Sequence, residues 1–177
     1  MKKGDGMRLF IAVPLPDHMR RALMSVRKDL ERQGVSGNWT RSENLHLTLA
    51  FLGEVSEREL PAVCSAMAAD FAPFRLALNG SGRFGDLLWI GCGDCPQLEE
   101  LAGSLRGKLE EGGIRFDPKP FRPHITLLRR GRGLDGAGVH VPEAACRVTR
   151  FSLMRSERIG GKLVYTELHA VRAEHRS

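Results

Sequence analysis

The sequence predicts an α+β fold in which antiparallel sheets pack against helices. Helical and strand-like stretches are mixed, several predicted strands follow one another without a helix between them, and one short motif occurs twice. The 177 residues, 42% of them hydrophobic, suffice for one domain with a sizeable core, and two small lobes sharing a cleft would also fit. We therefore expect residues 1–177 to form a single domain, with residues 1–6 as a flexible N-terminal tail.

The first predicted elements are a strand and a helix. Residues 8–13 (RLFIAV) are apolar except for Arg8 and precede Pro14 and Pro16, as expected for a buried strand that ends there. Asp17 is placed to cap a helix that runs to about Arg32, and Gly34 ends this helix. Residues 35–38 are predicted to be a loop.

Residues 44–52 alternate in polarity, which predicts a strand with two different faces. One face carries apolar side chains, namely Leu45, Leu47, Leu49 and Phe51. The other face carries His46 and Thr48. The sequence therefore predicts that these two polar side chains project from the same side of a strand.

A second helix is predicted from Ser56, because Glu59 follows three residues later as in a capping box, and it should run to about Asp70. Residues 73–79 and 86–91 then have the composition of strands around a glycine-rich turn.

The second half contains one helix and three further predicted strands. The helix begins at Pro96 and carries leucines three or four residues apart. A strand is predicted at 122–128 and a surface loop at 131–145. Residues 146–155 and 162–171 should form a hairpin that turns at a pair of glycines.

The charge balance favours polyanionic partners such as RNA. Lys and Arg number 27 against 21 Asp and Glu, giving a formal charge of +6. The apolar run at 9–15 is too short to span a membrane and lacks a cleavage site for a signal peptide. We therefore expect a cytoplasmic protein that does not bind membranes.

The four cysteines are expected to be reduced thiols, since no secretory signal precedes them. Cys92-Gly-Asp-Cys95 has the spacing of half a zinc site or of a redox pair, but no second C-x-x-C and no suitably spaced histidine accompany it. We therefore expect no metal and no cofactor.

The repeated motif carries the chemistry. His46-Leu-Thr-Leu49 recurs about half a chain later as His124-Ile-Thr-Leu127, and each copy lies within an alternating strand pattern. A single His-x-Thr is usually structural or a polar surface feature, whereas two copies in the same context are far less easily explained by chance. If the two halves form equivalent lobes, both histidines and both threonines face one groove.

Such a groove matches what cleavage of a phosphodiester without metal requires. A neutral imidazole can take a proton from water, an imidazolium can protonate the departing oxygen, and hydroxyls can donate to phosphate oxygens. Histidine suits both roles because its unperturbed pKa of about 6.5 keeps both forms accessible near neutrality.

The chain resembles the 2H phosphoesterase superfamily, and within it the RNA 2′,3′-cyclic phosphodiesterases once called 2′-5′ RNA ligases. The resemblance rests on blocks 39–53 (WTRSENLHLTLAFLG) and 121–129 (FRPHITLLR), with 8–15 similar to the opening strand. It implies a bilobal fold with two pseudo-symmetric antiparallel sheets and outer helices flanking a central cleft. It also implies hydrolysis of a terminal 2′,3′-cyclic phosphate to a 2′-phosphomonoester.

The resemblance also implies roles for individual residues. His46 would donate a proton to the O3′ leaving group, and His124 would accept a proton from water. Thr48 and Thr126 would bind the phosphate. The two motifs are nearly symmetric, so the sequence itself does not assign donor and acceptor.

An arginine five residues after the second histidine is typical of the family, and this position is Arg129. Strict alternation from His124 instead places Arg130 on the histidine face. We favour Arg129, which requires a bulge or a strand end after Leu127, and either arginine could also be a solvated surface charge.

Several weaker candidates have competing structural explanations. Phe10 could stack on a nucleobase or belong to the core, and for Phe51 and Trp39 packing is the better explanation. The basic residues Arg129, Arg130 and Arg132 could guide an RNA backbone or form a solvated loop. The remaining histidines, interpreted as surface residues, are His18, His140, His169 and His175.

Three functions are compatible with these features. The first is hydrolysis of RNA 2′,3′-cyclic phosphate ends or of small cyclic nucleotides, and the second is the same chemistry reversed to join RNA ends through a 2′,5′ linkage. The third is an RNA- or nucleotide-binding module without turnover. A monomer is the expected state in each case.

Overall fold

The computed structural model describes residues 6–174. Residues 1–5 of the expected tail and His175 lie outside this part of the chain, whereas Gly6, also assigned to the tail, is the first residue of a strand. In chain order the elements are β1 (Gly6–Pro14), α1 (Asp17–Arg32), β2 (Ser36–Trp39), β3 (His46–Ser56), α2 (Leu60–Ala66), β4 (Phe74–Phe84), β5 (Leu87–Cys92), α3 (Pro96–Glu111), β6 (His124–Arg132), β7 (Ala145–Val148), β8 (Arg150–Ile159) and β9 (Lys162–Arg172).

The strands form two antiparallel sheets. The first has the order β3-β1-β8-β9 and the second the order β2-β6-β5-β4-β7. The first sheet contains His46 on β3, and the second contains His124 on β6. The α+β prediction is therefore confirmed, and each sheet contributes one copy of the repeated motif.

Two amphipathic helices pack against the sheets. In α1 the buried residues lie three or four apart, which gives the helix a single apolar face, and they are Met19, Leu23, Val26 and Leu30. The guanidinium of Arg27 on α1 lies 5.4 Å from the ring of Trp39 on β2. On α3, Arg106 Nε donates to the carbonyl of Leu49 on β3 over 3.0 Å. Thus α1 contacts the second sheet and α3 contacts the first.

The predicted capping box is confirmed. Glu59 accepts hydrogen bonds from both the backbone nitrogen and the hydroxyl of Ser56, each over 2.9 Å. The box caps a short 3-10 turn at Glu57–Glu59 that leads into α2, and α2 ends at Ala66 rather than near Asp70.

Two details of the first half were predicted wrongly. Pro16, not Asp17, is the N-cap of α1, and Asp17 is the first helical residue. The predicted loop at 35–38 is largely strand β2, which pairs with β6. Propensity could not reveal this short polar strand, because its pairing with a distant part of the chain stabilises it.

Further differences concern strand ends. β4 continues to Phe84 and pairs with β5 along this extension. Gly82 lies under the Trp89 ring, where a Cβ would be only 2.1 Å from a ring atom. Residues 146–155 are not one strand, since β7 and β8 belong to different sheets. β6 continues to Arg132, so the following loop is shorter than predicted.

Candidate active site

His46 is held by contacts on both ring nitrogens. Its Nδ1 lies 2.6 Å from the carbonyl oxygen of Asn44, and since a carbonyl only accepts, Nδ1 carries the proton. In the neutral ring Nε2 is then an acceptor for the Thr48 hydroxyl, 2.9 Å away. The rings of Phe10 and Tyr165 lie 4.7 and 5.3 Å from the imidazole between ring centroids. These contacts fix both the tautomer and the orientation of the ring.

His124 has a closely similar arrangement in the second sheet. Its Nδ1 donates to the carbonyl of Arg122, again two residues earlier and again over 2.6 Å. Its aromatic neighbours are Phe84 and Trp89, at 5.6 and 6.2 Å between ring centroids. In each copy of the motif, therefore, the carbonyl two residues earlier accepts a hydrogen bond from Nδ1, so in the neutral ring Nε2 is the unprotonated nitrogen.

The fold brings the two motifs together. β3 and β6 approach each other although they belong to different sheets. Both His124 and Arg129 are close enough to His46 for their positive charges to lower the pKa of His46. The site therefore contains two imidazoles and one guanidinium within electrostatic reach.

Burial is the main cause of an altered pKa at His46. Desolvation lowers the pKa from 6.5 to about 4, the hydrogen bond to Asn44 opposes this shift, and the charges of Arg129 and His124 reinforce it. In the free protein at neutral pH, His46 is therefore neutral.

A β-bulge follows the threonine in both motifs. Thr48 pairs with Ala12 and Ala50 with Ile11, so Leu49 is an extra residue on β3. On β6 the extra residue is Leu127, because Thr126 pairs with Trp89 and Leu128 with Leu88.

Both bulges reverse the alternation that follows them. Arg129 comes onto the face of His124 and Thr126, as favoured above on the supposition of a bulge. The same shift on β3 makes the assignment of Phe51 to the apolar face wrong. Phe51 is half-buried, and the guanidinium of Arg8 lies 4.8 Å from its ring.

Arg130 lies apart from this site. It lines a groove formed with Ser36–Asn38 and Asp86, and its backbone is left-handed, with φ of 51°. The alternative that placed Arg130 on the histidine face is therefore wrong, because a perfectly alternating strand does not account for the bulge.

Phe10 is 4% exposed, and its ring is enclosed by His46 and Tyr165. This burial contradicts the expectation that Phe10 stacks on a nucleobase, since neither face of its ring is free. Phe84 is an aromatic residue of the site that the sequence did not predict. Its ring is 44% exposed and packs edge-on against His124. Its place after a glycine-rich stretch gave no signal in the sequence.

Tyr165 also joins the site. Burial raises the pKa of its hydroxyl, and the nearby charges of Arg129 and Arg8 oppose this rise. Tyr165 therefore lies where the first sheet faces Arg129 of the second.

Cys92 is the last residue of β5 and follows Gly91, which pairs with His124. Burial raises the pKa of Cys92 to about 12, so its thiol remains protonated at neutral pH. Among residues 6–174, no group of three or more His, Cys, Asp or Glu side chains is placed to hold a metal ion. Within the same residues no helix is both long and apolar enough to cross a membrane.

The model of the LigT-like phosphoesterases matches the chain twice, at residues 13–89 and 90–165. The chain belongs to the LigT-like phosphoesterase family. Each matched segment contains one histidine motif, so the two family matches coincide with the two halves of the site.

Curated members of the family align over nearly the whole chain. A protein from Thermus thermophilus named RNA 2′,3′-cyclic phosphodiesterase is 36% identical, with 96% of this chain and 92% of the relative covered. The Escherichia coli protein of the same name is 34% identical, with coverages of 93% and 95%. The alignment with a relative of that name from Geobacillus stearothermophilus is shorter, at 36% identity over 70% of this chain and 42% of the relative's length.

Solved structures agree with the family assignment. Escherichia coli LigT without ligand superposes with a TM-score of 0.82 at 32% identity, covering 97% of this chain and all of LigT. The complex of LigT with 3′-AMP gives a TM-score of 0.81 at 31% identity, with the same coverages. The two-sheet arrangement is thus that of LigT.

Proposed function

We propose that this protein hydrolyses RNA 2′,3′-cyclic phosphodiester ends to 2′-phosphomonoesters, with His46 and His124 as general acid and general base. The observation that carries the proposal is the meeting of two equivalent histidines, each with Nδ1 bound to a carbonyl, beside Arg129. The names of the relatives and the LigT complex with 3′-AMP support the same substrate class.

In the proposed reaction, His124 Nε2 takes a proton from water as the water oxygen bonds to phosphorus. The bond from phosphorus to O3′ breaks, and His46 Nε2 gives its proton to O3′. The product carries a 2′-phosphate and a free 3′-hydroxyl. Proton exchange with solvent then restores both histidines.

The donor role places a condition on His46, since its pKa of about 4 leaves it neutral in the free protein. The phosphate anion bound beside His46 must raise this pKa before His46 can act as a donor. Arg129 and the hydroxyls of Thr48 and Thr126 hold the phosphate, and no step requires a metal or cofactor.

Phe84 supplies a stacking surface for the nucleobase. Its exposed ring lies beside His124 and against Trp89, with 5.5 Å between the centroids of Phe84 and Trp89. Every base has a π-face, so such a surface accepts an RNA end of any sequence.

The test is incubation of purified protein in excess EDTA with an oligoribonucleotide that ends in a 2′,3′-cyclic phosphate. A 2′-phosphate product is expected. A 3′-phosphate would contradict the assignment of the leaving oxygen, and an unchanged substrate would favour the binding module.

Reversible 2′-5′ ligation remains the second candidate, because the 5′-hydroxyl of another RNA end can replace water as the nucleophile at phosphorus while O3′ leaves. The same two histidines would transfer the protons, and mass action would decide between joining and cleaving the 2′,5′ linkage. We also retain as predictions a cytoplasmic location, no membrane binding and a monomeric state. Sedimentation analysis of the purified chain tests the last of these.

A further inference from the structure

A row of exposed polar side chains continues along β6 beyond the candidate active site. Arg129 pairs with Asn38 on β2, and Arg132 pairs with Ser36. Directly paired residues of antiparallel strands lie on the same face. Arg129 and Arg132 therefore share a face with Asn38 and Ser36, and all four are exposed.

This row lies on the catalytic face because β6 contains a second irregularity. Three residues separate Arg129 from Arg132, whereas their partners on β2 are two residues apart, so β6 has an extra residue here. The left-handed backbone of Arg130 marks the position. This irregularity and the bulge at Leu127 together keep His124, Thr126, Arg129 and Arg132 on one face of β6.

The far end of the row borders an open groove. Its lining residues are Ser36, Gly37, Asn38, Asp86, Arg130, Gly131 and Arg132. Gly37 allows β2 to approach β6 closely, because a Cβ there would lie 2.6 Å from the carbonyl oxygen of Arg130. Two arginines and one aspartate line the groove, so its charged residues sum to a positive charge. The groove includes Asn38, the strand partner of Arg129.

We propose that Ser36, Asn38 and Arg132, here called the Arg132 track, bind backbone phosphates of the RNA strand that leads to the reacting end. Arginine, amide and hydroxyl donors suit phosphate oxygens and do not read base identity. The site then favours polynucleotide ends over free cyclic mononucleotides, without sequence preference. This inference rests on the proposed function.

The dimensions suit a short oligonucleotide. Arg132 follows His124 by eight residues, and two of these are the extra residues of the irregularities, so about six paired positions separate them. At roughly 3.3 Å per residue the separation is ~20 Å. Stacked nucleotides advance about 3.4 Å each, so the track lies within roughly six nucleotides of the reacting phosphate.

The experiment compares kcat/KM for 2′,3′-cyclic AMP with kcat/KM for a hexanucleotide that ends in a 2′,3′-cyclic phosphate. Both are measured at low and high salt. We expect the wild type to prefer the hexanucleotide and the preference to shrink as salt rises.

Arg132→Gln should lower kcat/KM for the hexanucleotide on the order of threefold at low salt. It should also flatten the dependence of log(kcat/KM) on log[salt] by about 0.7, as expected for one lost contact to a single strand. Hydrolysis of 2′,3′-cyclic AMP should be unchanged. Asp86→Asn should have the opposite effect on the hexanucleotide.

Arg147→Gln is the matched control. Arg147 is an exposed arginine on β7, at the other edge of the same sheet. Its substitution therefore removes the same charge at a position distant from the Arg132 track. The inference would be overturned if the wild type had equal kcat/KM for both substrates. It would also be overturned if Arg132→Gln and Arg147→Gln lowered kcat/KM for the hexanucleotide equally.

Absence of turnover with either substrate would contradict the proposed function instead. Binding of a hexanucleotide and of 2′-AMP, measured by fluorescence anisotropy and calorimetry, then tests the Arg132 track by itself. Arg132→Gln should weaken binding of the hexanucleotide and leave binding of 2′-AMP unchanged. An unchanged affinity for the hexanucleotide would refute phosphate binding by the Arg132 track.

Discussion

His46 combines burial with the nearby positive charge of Arg129, and both favour its neutral form. The hydrogen bond to Asn44 fixes which nitrogen carries the proton but does not overcome desolvation. A substrate anion bound at Thr48 and Arg129, as proposed, would change this balance, because it would bring a negative charge to the imidazole. The protonation state of His46 should therefore depend on whether the site is occupied.

NMR titration of His46 tests this dependence. In the free protein the pKa should be about 4, and saturation with 2′-AMP should raise it, because the phosphate favours the imidazolium. An unchanged pKa in the complex would leave His46 without a proton to donate, and the donor and acceptor roles would have to be exchanged.

Phe84 is exposed beside His124, so its contribution to kcat/KM should depend on whether the substrate carries a nucleobase. Phe84→Ala should lower kcat/KM for 2′,3′-cyclic AMP roughly 5- to 150-fold, the range expected for one stacked base. Phe84→Tyr keeps the ring and serves as the control. Ribose 2′,3′-cyclic phosphate, which lacks a base, should be hydrolysed equally by all three proteins, and an equal loss on it would exclude stacking.

Among the elements, β3 and β6 show how far sequence patterns extend. Alternation correctly places His46 with Thr48 and His124 with Thr126, because each pair precedes its bulge. It fails beyond Leu49 and Leu127, because a leucine in a bulge cannot be distinguished by type from an ordinary core leucine. Only pairing with β1 and β5 reveals the extra residue.

The position of Arg129 was therefore a hypothesis from family resemblance, whereas His46 and His124 followed from the repeat itself. Phe84 and Tyr165 had no motif of their own, and only the packing of the sheets brings them to the histidines. The short strand β2 was missed for the same reason, since its pairing partner is distant in sequence.

The bulge at Leu127 brings Arg129, but not the adjacent Arg130, onto the face of β6 that carries His124. Arg129→Gln should lower kcat/KM for 2′,3′-cyclic AMP roughly 10- to 150-fold, because it removes a charged hydrogen-bond donor from the phosphate. Arg130→Gln is the matched variant and should stay within about threefold of the wild type, as expected for an exposed charge. The opposite order would mean that Arg130 reaches the phosphate.

At the scale of the whole molecule, the two halves of the chain supply equivalent parts of one site. The two family matches divide the chain between the motifs, and each sheet holds one histidine against a carbonyl and an aromatic pair. The aromatic pairs have diverged, since Phe10 is buried whereas Phe84 is exposed. One sheet thus contains an enclosed histidine, and the other contains a histidine beside an exposed aromatic ring.

Burial of His46 should also be visible in global stability. Its pKa is about 4 in the folded protein and 6.5 in the unfolded chain, so the unfolded chain binds more protons between these values. The free energy of unfolding should fall by roughly 3 kcal/mol from this group as pH drops from above 6.5 to 4, with no further loss below 4.

Urea denaturation of the wild type and of His46→Asn at pH 7 and pH 4.5 measures this contribution. The variant should lose less stability on acidification than the wild type. His140→Asn, which changes an exposed histidine, is the control and should follow the wild type. Parallel behaviour of all three proteins would mean that His46 is not desolvated in the folded state.

In the proposed mechanism, two histidines from different sheets act as one metal-independent acid–base pair. Its most direct test is kcat for a 2′,3′-cyclic phosphate end in excess EDTA, measured for His46→Ala, His124→Ala and the control His169→Ala. Each motif variant should lose on the order of 10²- to 10⁴-fold in kcat while still binding 2′-AMP, and the control should match the wild type. Turnover near the wild-type rate in either motif variant would contradict the paired mechanism.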